Sequence, residues 1–278
     1  MQTVTSADGT EIAYDLQGTG RPLLLLHGGG GRQYWDPLAP RFVEDYAVVR
    51  PDRRGYGDSK LAEAYGLERE IEDVQAVLEA ARTDSAVEDD EPILVGHSFG
   101  GLQALETARL EPVAAIAAYE PAILVGECSE RSDLADQMAA RLGMDDQRGA
   151  MKLHLREVLH TDDVSDAEFE AWLEGWPHWP EAARGAERTL AMDRVVETYE
   201  LPETIDLGAP GLVLSGTEGP SHLRDSSRAL AEALVDGEFH EYEGVSHMGP
   251  AEAPERVTET LWEFFDANGC SPRAAGSL

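Results

Sequence analysis

The chain has 278 residues, 42% of them hydrophobic, and a formal net charge of −32. This length supports one large globular domain with a smaller appendage. A surface this acidic repels nucleic acid and anionic membranes. We therefore expect a small-molecule partner rather than either of these. No apolar run approaches the roughly 20 residues that a membrane-spanning helix needs. Two cysteines, Cys128 and Cys270, make neither a disulfide framework nor a metal site. We therefore expect no metal, no cofactor and a reducing cytoplasm.

The basic residues and the N-terminal segment give two further indications, one about salt and one about targeting. Only Lys60 and Lys152 are lysines, so 20 of the 22 basic side chains are arginines. Self-repulsion of the acidic surface weakens as salt shortens the Debye length, to about 3 Å at 1 M. The pattern resembles that of proteins from halophiles with molar salt in the cytoplasm, and it predicts that salt stabilises the fold. The first ten residues have neither the basic start nor the apolar stretch of a signal peptide.

The first part of the chain alternates between strand and helix patterns, which is typical of an α/β fold with a doubly wound, mostly parallel sheet. Between two of these elements, the charged turn DRRGYGDS at 52–59 is interpreted as structural, because Asp–Arg pairs and glycines can order a loop without doing chemistry. The predicted elements are a hairpin over 2–16, strands over 22–26, 46–50, 93–95 and 113–119, and helices over 34–45, 67–82 and 102–110.

The stretch PILVGHSFGG, residues 92–101, carries the strongest chemical signal. A short buried strand runs into Gly-x-Ser-x-Gly, and a helical pattern begins at Leu102. In this strand–turn–helix context the motif places Ser98 on a sharp turn at the carboxyl edge of the sheet. The N-terminus of the following helix favours the negative charge that develops in acyl transfer. We therefore predict that Ser98 is a nucleophile.

Residues 122–204 contain no convincing strand pattern and predict a helical cap inserted after the sixth strand. The cap holds Trp172, Trp176 and Trp179, and we expect these aromatic side chains, together with Met248, to contact the substrate. Strand patterns resume at 211–215 and 238–242, with helices over 223–234 and 252–265. The predicted organisation is a core of residues 1–121 and 205–267, a cap of residues 122–204 and a flexible tail of residues 268–278. The predicted helices of the cap cover residues 131–142, 147–159, 166–175 and 182–200.

Four motifs together give the chain a family resemblance: HGGGG at 27–31, DRRGYGDS at 52–59, GHSFGG at 96–101 and SHMG at 246–249. With these motifs in this order, residues 1–267 resemble the α/β-hydrolase fold superfamily. The resemblance implies an eight-stranded sheet, a helical cap and a catalytic triad in the order serine, acid, histidine.

The resemblance also implies roles for individual residues. His247, in a glycine-flanked loop after the last strand, would be the base that activates Ser98. The N–H groups of Phe99 and Gly29 would form the oxyanion hole. Gly28 and Gly30 are the alternatives to Gly29. His27 would brace this loop, and His97 would point away from the pocket. The remaining histidines would belong to the cap or the surface: His154, His160, His178, His222 and His240.

The acid of the triad departs from the family's pattern. The usual position, three residues after the glycine that ends strand 211–215, is occupied here by Gly219, which has no side chain. Glu120, at the end of the strand that follows the nucleophile helix, is our prediction, because a carboxylate at a buried strand end needs a partner. Glu218 and then Asp225 remain as alternatives.

These residues predict a serine hydrolase that acts through an acyl-enzyme on small, mainly apolar carboxylic esters. The same residues could instead act on a lactone, a C–C diketone, an amide or a peroxide, as in a perhydrolase or a cofactor-free haloperoxidase. A third possibility is a binding protein that keeps the pocket without turnover. Neither the bond cleaved nor the oligomeric state follows from the sequence.

Overall fold

The computed structural model describes residues 1–62, 64–88, 91–131, 133–159, 164–176 and 179–271. Two predicted surface or cap histidines, His160 and His178, and residues 272–278 of the predicted tail lie outside these ranges. The strands are β1 (Gln2–Thr5), β2 (Glu11–Gln17), β3 (Pro22–Leu26), β4 (Ala47–Pro51), β5 (Ile93–His97), β6 (Ala115–Tyr119), β7 (Gly211–Gly216) and β8 (Gly237–Tyr242).

The helices lie mainly between the later strands and in the cap. They are α1 (Leu67–Arg82), α2 (Phe99–Ala108), α3 (Gly126–Arg131), α4 (Leu134–Leu142), α5 (Gln147–Leu159), α6 (Asp166–Gly175), α7 (Trp179–Arg184), α8 (Ala186–Thr198), α9 (Ser221–Ala233), α10 (Gly249–Glu252) and α11 (Pro254–Ala267). Among the described residues, no helix combines the length and the apolar character needed to cross a bilayer.

The eight strands form one sheet in the order β1-β2-β4-β3-β5-β6-β7-β8. Strand β2 pairs antiparallel with β1 and β4, and all other neighbours are parallel. Every residue of β3, β4, β5 and β6 is buried, as expected for parallel strands covered on both faces. The predicted α/β fold class is confirmed. The order also places β6 between β5 and β7, so the carboxyl ends of these three strands are adjacent.

Two apolar clusters cover the two faces of the sheet. One contains buried residues of α1, α2 and α9, and the other is built on α11 and on aromatic residues of the segment between β3 and β4. The predicted helix over 34–45 is wrong. That segment contains two short 3-10 helices, Arg32–Trp35 and Ala39–Arg41, because Pro37 and Pro40 lack the N–H that an α-helix requires and clash with its preceding turn.

The cap has an apolar core of its own, separate from the two sheet clusters. Helices α3 to α8 follow β6, and buried side chains from α4 to α8 pack against one another. The single helix predicted over 182–200 is divided, because α7 ends at Arg184 and α8 begins at Ala186. The interposed Gly185 is the N-cap of α8 and disfavours a continuous helix. The cap is thus a bundle of short helices held over the carboxyl edge of the sheet.

Candidate active site

Ser98 sits on the sharp turn between β5 and α2. Its backbone has φ 55° and ψ −123°, a conformation that costs free energy for a residue with a side chain. Its N–H donates to the carbonyl oxygen of Tyr119 at 3.0 Å, and its carbonyl oxygen accepts from Gly101 at 2.8 Å. A Cβ on Gly96 would lie 2.1 Å from the carbonyl oxygen of Gly100, so only glycine permits this turn. The surrounding sheet and helix therefore hold the serine in its strained position.

His247 and Glu120 form a buried pair beside this turn. The Nδ1 atom of His247 lies 2.7 Å from Oε2 of Glu120, and the two side chains are 5% and 0% exposed. The other carboxylate oxygen, Oε1, accepts from the hydroxyl of Ser215 at 2.9 Å and from the N–H of Gly216 at 3.0 Å. Three donors therefore converge on one carboxylate, and its acceptor oxygen at 2.7 Å places the ring proton of His247 on Nδ1.

The structure also shows why the usual acid position is empty. A Cβ on Gly219 would lie 2.3 Å from Oε1 of Glu120, so the Glu120 carboxylate occupies the space that a side chain at 219 would need. Glu218 is exposed, and its carboxylate accepts from the hydroxyl of its neighbour Thr217 at 3.3 Å. Asp225 is exposed on α9 and pairs with Arg228. Of the three acids considered from the sequence, Glu120 is the one that the structure brings to His247.

Two further histidines lie buried behind the site. Nε2 of His97 donates to the carbonyl oxygen of His247 at 2.8 Å, so His97 supports the loop that carries the base. Nε2 of His27 accepts the backbone N–H of Arg53 at 3.1 Å. Burial holds the pKa of both rings well below its usual value, and the positive charges of Arg53 and Arg188 lower the pKa of His27 further. Both are therefore neutral at pH 7, and each has one hydrogen-bonding role that supports a loop.

The glycine-rich loop after β3 lies directly against the nucleophile. A Cβ on Gly28 would lie 2.6 Å from Cβ and 3.1 Å from Oγ of Ser98. The next residue, Gly29, has open space where a side chain would be. Phe99 begins α2, and the N–H groups of a helix's first turn have no acceptor within the helix. The glycine-rich loop and the start of α2 thus both border Ser98, the loop through Gly28 and the helix through Phe99.

A cleft that opens to solvent lies between the core and the cap and includes Ser98 in its lining. Much of its wall is apolar, and its polar members come mainly from the cap. Within this wall, Nδ1 of His154 lies 2.9 Å from Oδ2 of Asp193, which is only 5% exposed. The lining is completed by Ala122, Leu124, Leu134, Glu157, Val158, Met192, Val196, Glu197, His222 and Leu223.

Several predicted substrate contacts are not at this cavity. Trp179 is 2% exposed within the cap's own core, where Trp176 packs against the same cluster. Trp172 is 49% exposed on the outer surface, stacked on Trp176 at a ring-centroid distance of 5.9 Å. Met248 is half-buried and also absent from the lining. Trp176 and Trp179 therefore contribute to the cap's core, and none of the three tryptophans is in the lining that contains Ser98.

Sequence reasoning missed the polar residues of the cavity wall. His154 and His222 were expected in the cap or on the surface without a role, but both line the cavity with Ser98. Neither carries a motif, and each occupies a helix whose pattern is otherwise amphipathic. Their position depends on how the cap sits on the core, which a single sequence does not show. His240, by contrast, is exposed on β8, as expected.

Comparisons with known proteins agree with this geometry. The model of the alpha/beta hydrolase family matches residues 23–260. A putative non-heme bromoperoxidase of Mycobacterium tuberculosis is 26% identical over 268 residues, covering 91% of this chain and 97% of that protein. An alpha/beta hydrolase from Sphaerobacter thermophilus has a TM-score of 0.77 and 29% identity, with 95% and 100% of the two chains covered. A thermophilic esterase from Thermogutta terrifontis, at 22% identity, shares the fold with a TM-score of 0.72 over 96% of this chain and 98% of that one. The chain belongs to the alpha/beta hydrolase family and is a hydrolytic enzyme.

Proposed function

We propose that this enzyme is a serine hydrolase that cleaves small carboxylic esters through an acyl-enzyme. Ser98 attacks the ester carbonyl while His247 takes its proton at Nε2. Glu120 keeps the other ring proton on Nδ1 and stabilises the imidazolium. The imidazolium then protonates the leaving alcohol as the tetrahedral intermediate collapses. In the second half, His247 activates water, which attacks the acyl-enzyme and releases the acid.

The observation that carries this proposal is the buried pair of His247 and Glu120 beside the strained turn of Ser98. A carboxylate at 0% exposure is costly unless its charge is used or compensated. Here it fixes one tautomer, the one in which Nε2 can accept a proton from serine. The ring of His247 is thus prepared as a base before substrate arrives.

The lining of the cavity is compatible with a substrate that has an apolar body and a hydrogen-bonding group. Its apolar wall would hold a short alkyl or aryl acyl chain. The His154–Asp193 pair presents an oriented imidazole to the same space, because Asp193 holds the Nδ1 proton and leaves Nε2 as an acceptor. A hydroxyl on the acyl group is a matching donor. We therefore narrow the substrate to esters whose acyl group carries a hydroxyl or a comparable donor.

A second candidate reaction uses hydrogen peroxide in place of water. It is favoured by the similarity to the putative non-heme bromoperoxidase over nearly the full length of both chains. The same acyl-enzyme would then release a peracid instead of an acid. Both reactions need Ser98, and the preferred acceptor, water or peroxide, distinguishes them.

The test is labelling by a fluorophosphonate followed by turnover of p-nitrophenyl esters. The wild-type protein should be labelled on one serine and should hydrolyse short-chain esters. Ser98→Ala should lose the label and nearly all turnover, because serine and histidine act as one unit. Addition of peroxide and bromide to an acetate-containing assay measures the second reaction. Labelling or turnover that survives Ser98→Ala would show that another nucleophile acts and that the proposal is wrong.

A further inference from the structure

The turn DRRGYGDS, interpreted from the sequence as purely structural, places one arginine beneath the site. Arg53 follows β4, and its side chain is 1% exposed. Its guanidinium pairs with Glu70 of α1, with Nη2 at 2.6 Å from Oε1 and Nε at 3.2 Å from Oε2. Gln103, on the nucleophile helix α2, donates to the same Oε2 at 2.8 Å. The guanidinium is therefore paired with a carboxylate of α1 that α2 also holds, so it cannot easily turn.

The remaining nitrogen of this guanidinium contacts the glycine-rich loop. Nη1 of Arg53 donates to the carbonyl oxygen of Gly28. Arg53 also donates its backbone N–H to His27, so one residue holds the loop at two successive positions. The peptide bond between Gly28 and Gly29 is trans, so the N–H of Gly29 points opposite to the held carbonyl. With the carbonyl directed toward Arg53, the N–H of Gly29 is directed away from it.

Arg53 also contacts the second half of the predicted oxyanion hole. Its Cζ atom lies 4.0 Å from the centre of the Phe99 ring, within the range of a cation–π interaction. Phe99 supplies the other predicted donor through its backbone. Arg53 thus contacts the Gly28 carbonyl, which shares a peptide bond with the N–H of Gly29, and the side chain of Phe99.

We propose that Arg53 is a positioning residue that fixes the oxyanion hole by holding the Gly28 carbonyl and the Phe99 ring. This inference rests on the proposed function, since an oxyanion forms only if Ser98 attacks a carbonyl. A buried Arg–Glu pair contributes little net stability, because the cost of removing both charges from water offsets their attraction. A preorganised donor, however, is worth about 10²–10³ in kcat, and a misaligned one loses part of that. The guanidinium therefore matters more for rate than for folding.

The neighbouring Arg54 provides a matched control. It is equally buried, at 1% side-chain exposure, and pairs with Asp73 and Asp8. Its other hydrogen bonds go to the carbonyl oxygens of Ala64 and Arg69, so none of its described hydrogen bonds reaches the glycine-rich loop. Removing either arginine disturbs a buried ion pair, but only Arg53 holds the loop.

The experiment compares Arg53→Lys with Arg54→Lys. Lysine keeps the charge for the carboxylate but has one nitrogen, so Arg53→Lys loses the bond to the Gly28 carbonyl. We expect kcat to fall about 10- to 100-fold in Arg53→Lys and less than threefold in Arg54→Lys. Affinity for an alkylboronic acid, whose tetrahedral adduct places an oxygen in the hole, should fall in parallel with kcat. KM should change little, although Nη1 also lies 3.5 Å from Sδ of Met192 in the cavity wall.

A second pair of variants covers the case in which the lysine variants do not fold. Arg53→Met with Glu70→Gln, and Arg54→Met with Asp73→Asn, each remove both charges of one pair, which buried ion pairs often tolerate. The same difference in kcat and in boronic acid affinity is expected. Equal losses in the two pairs, or a loss confined to KM, would overturn the role of Arg53. Wild-type protein that neither takes the fluorophosphonate label nor hydrolyses esters would instead overturn the proposed function.

Discussion

Replacing Glu120 by glutamine tests the proposed triad most directly, because the structure determines how the new amide must lie. The N–H of Gly216 points at Oε1 of Glu120 from 3.0 Å and can only donate. The amide oxygen of Glu120→Gln must therefore face Gly216, and its NH₂ group faces Nδ1 of His247. An NH₂ group can only donate, so Nδ1 must become the acceptor and the ring proton moves to Nε2. In that tautomer His247 cannot take the proton of Ser98.

The expected loss follows from this change of tautomer. We expect kcat to fall about 10⁴-fold, the size seen when a triad carboxylate becomes an amide, which is about 5.4 kcal/mol in the barrier. KM and the melting temperature should change little, because the amide keeps the volume and removes only a buried charge. kcat and KM are measured for the hydrolysis of p-nitrophenyl acetate, and the melting temperature is measured on the same samples. Glu218→Gln is the matched control and should stay within about twofold, since an exposed loop carboxylate interacts weakly through solvent.

A relocated acid makes this prediction sharper. Gly219 has no positive φ, so an aspartate there is not strained, and its Cβ would point at the present Glu120 carboxylate. The double variant Glu120→Ala with Gly219→Asp should regain about 10- to 100-fold of the activity that Glu120→Ala loses. Gly219→Asp alone should unfold at a lower temperature, because its side chain overlaps Glu120. A near-normal kcat in Glu120→Gln, or a large loss of kcat in Glu218→Gln, would refute the assignment of Glu120.

Three further outcomes are expected. His154→Phe should lower kcat/KM about fivefold for an ester with a hydroxylated acyl group and leave its alkyl counterpart unchanged, since one hydrogen bond is worth about 1 kcal/mol; equal losses for the two esters would contradict a polar contact from His154. Burial lowers the pKa of His97, so the unfolded chain binds more protons than the folded chain does at acidic pH. Stability that is present above about pH 6.5 should therefore be lost as the pH falls below that value. Between pH 8 and pH 5, the melting temperature should therefore fall less in His97→Gln than in the exposed control His240→Gln. An equal fall in the two variants would contradict this reasoning. The melting temperature should rise in potassium chloride up to 1 M, because the net charge is −32, and a flat curve would contradict the role of self-repulsion.

The strands and the serine turn were predictable because their signals are local. Each buried strand is a short apolar run bounded by turn residues, and the glycines around Ser98 leave a single geometry for that turn. Helices α1, α5 and α6 begin and end where the sequence pattern predicted, since apolar spacing and flanking residues decide helix ends locally. The absence of an α-helix over 34–45 also has a local cause, because Pro37 and Pro40 override the apolar spacing of that segment.

The cap contacts depended on tertiary structure. The spacing of Trp172, Trp176 and Trp179 shows that they are close together but not which side of the cap faces the core. In the structure none of them lines the cavity that contains Ser98. His154 reaches the cavity only because α5 and α8 pack side by side with the cap seated on the sheet edge. No pattern within one helix carries that information.

For the acid, the sequence by itself showed that the usual position holds a glycine and that Glu120 ends a buried strand. It left Glu120, Glu218 and Asp225 open, because all three are near the same sheet edge. Only the folded chain brings Glu120 to His247 across 127 residues, and only its packing fills the space above Gly219 with that carboxylate. The physical reason is that residue types and turn chemistry act along the chain, whereas a hydrogen bond of 2.7 Å depends on strand order, loop path and side-chain packing together.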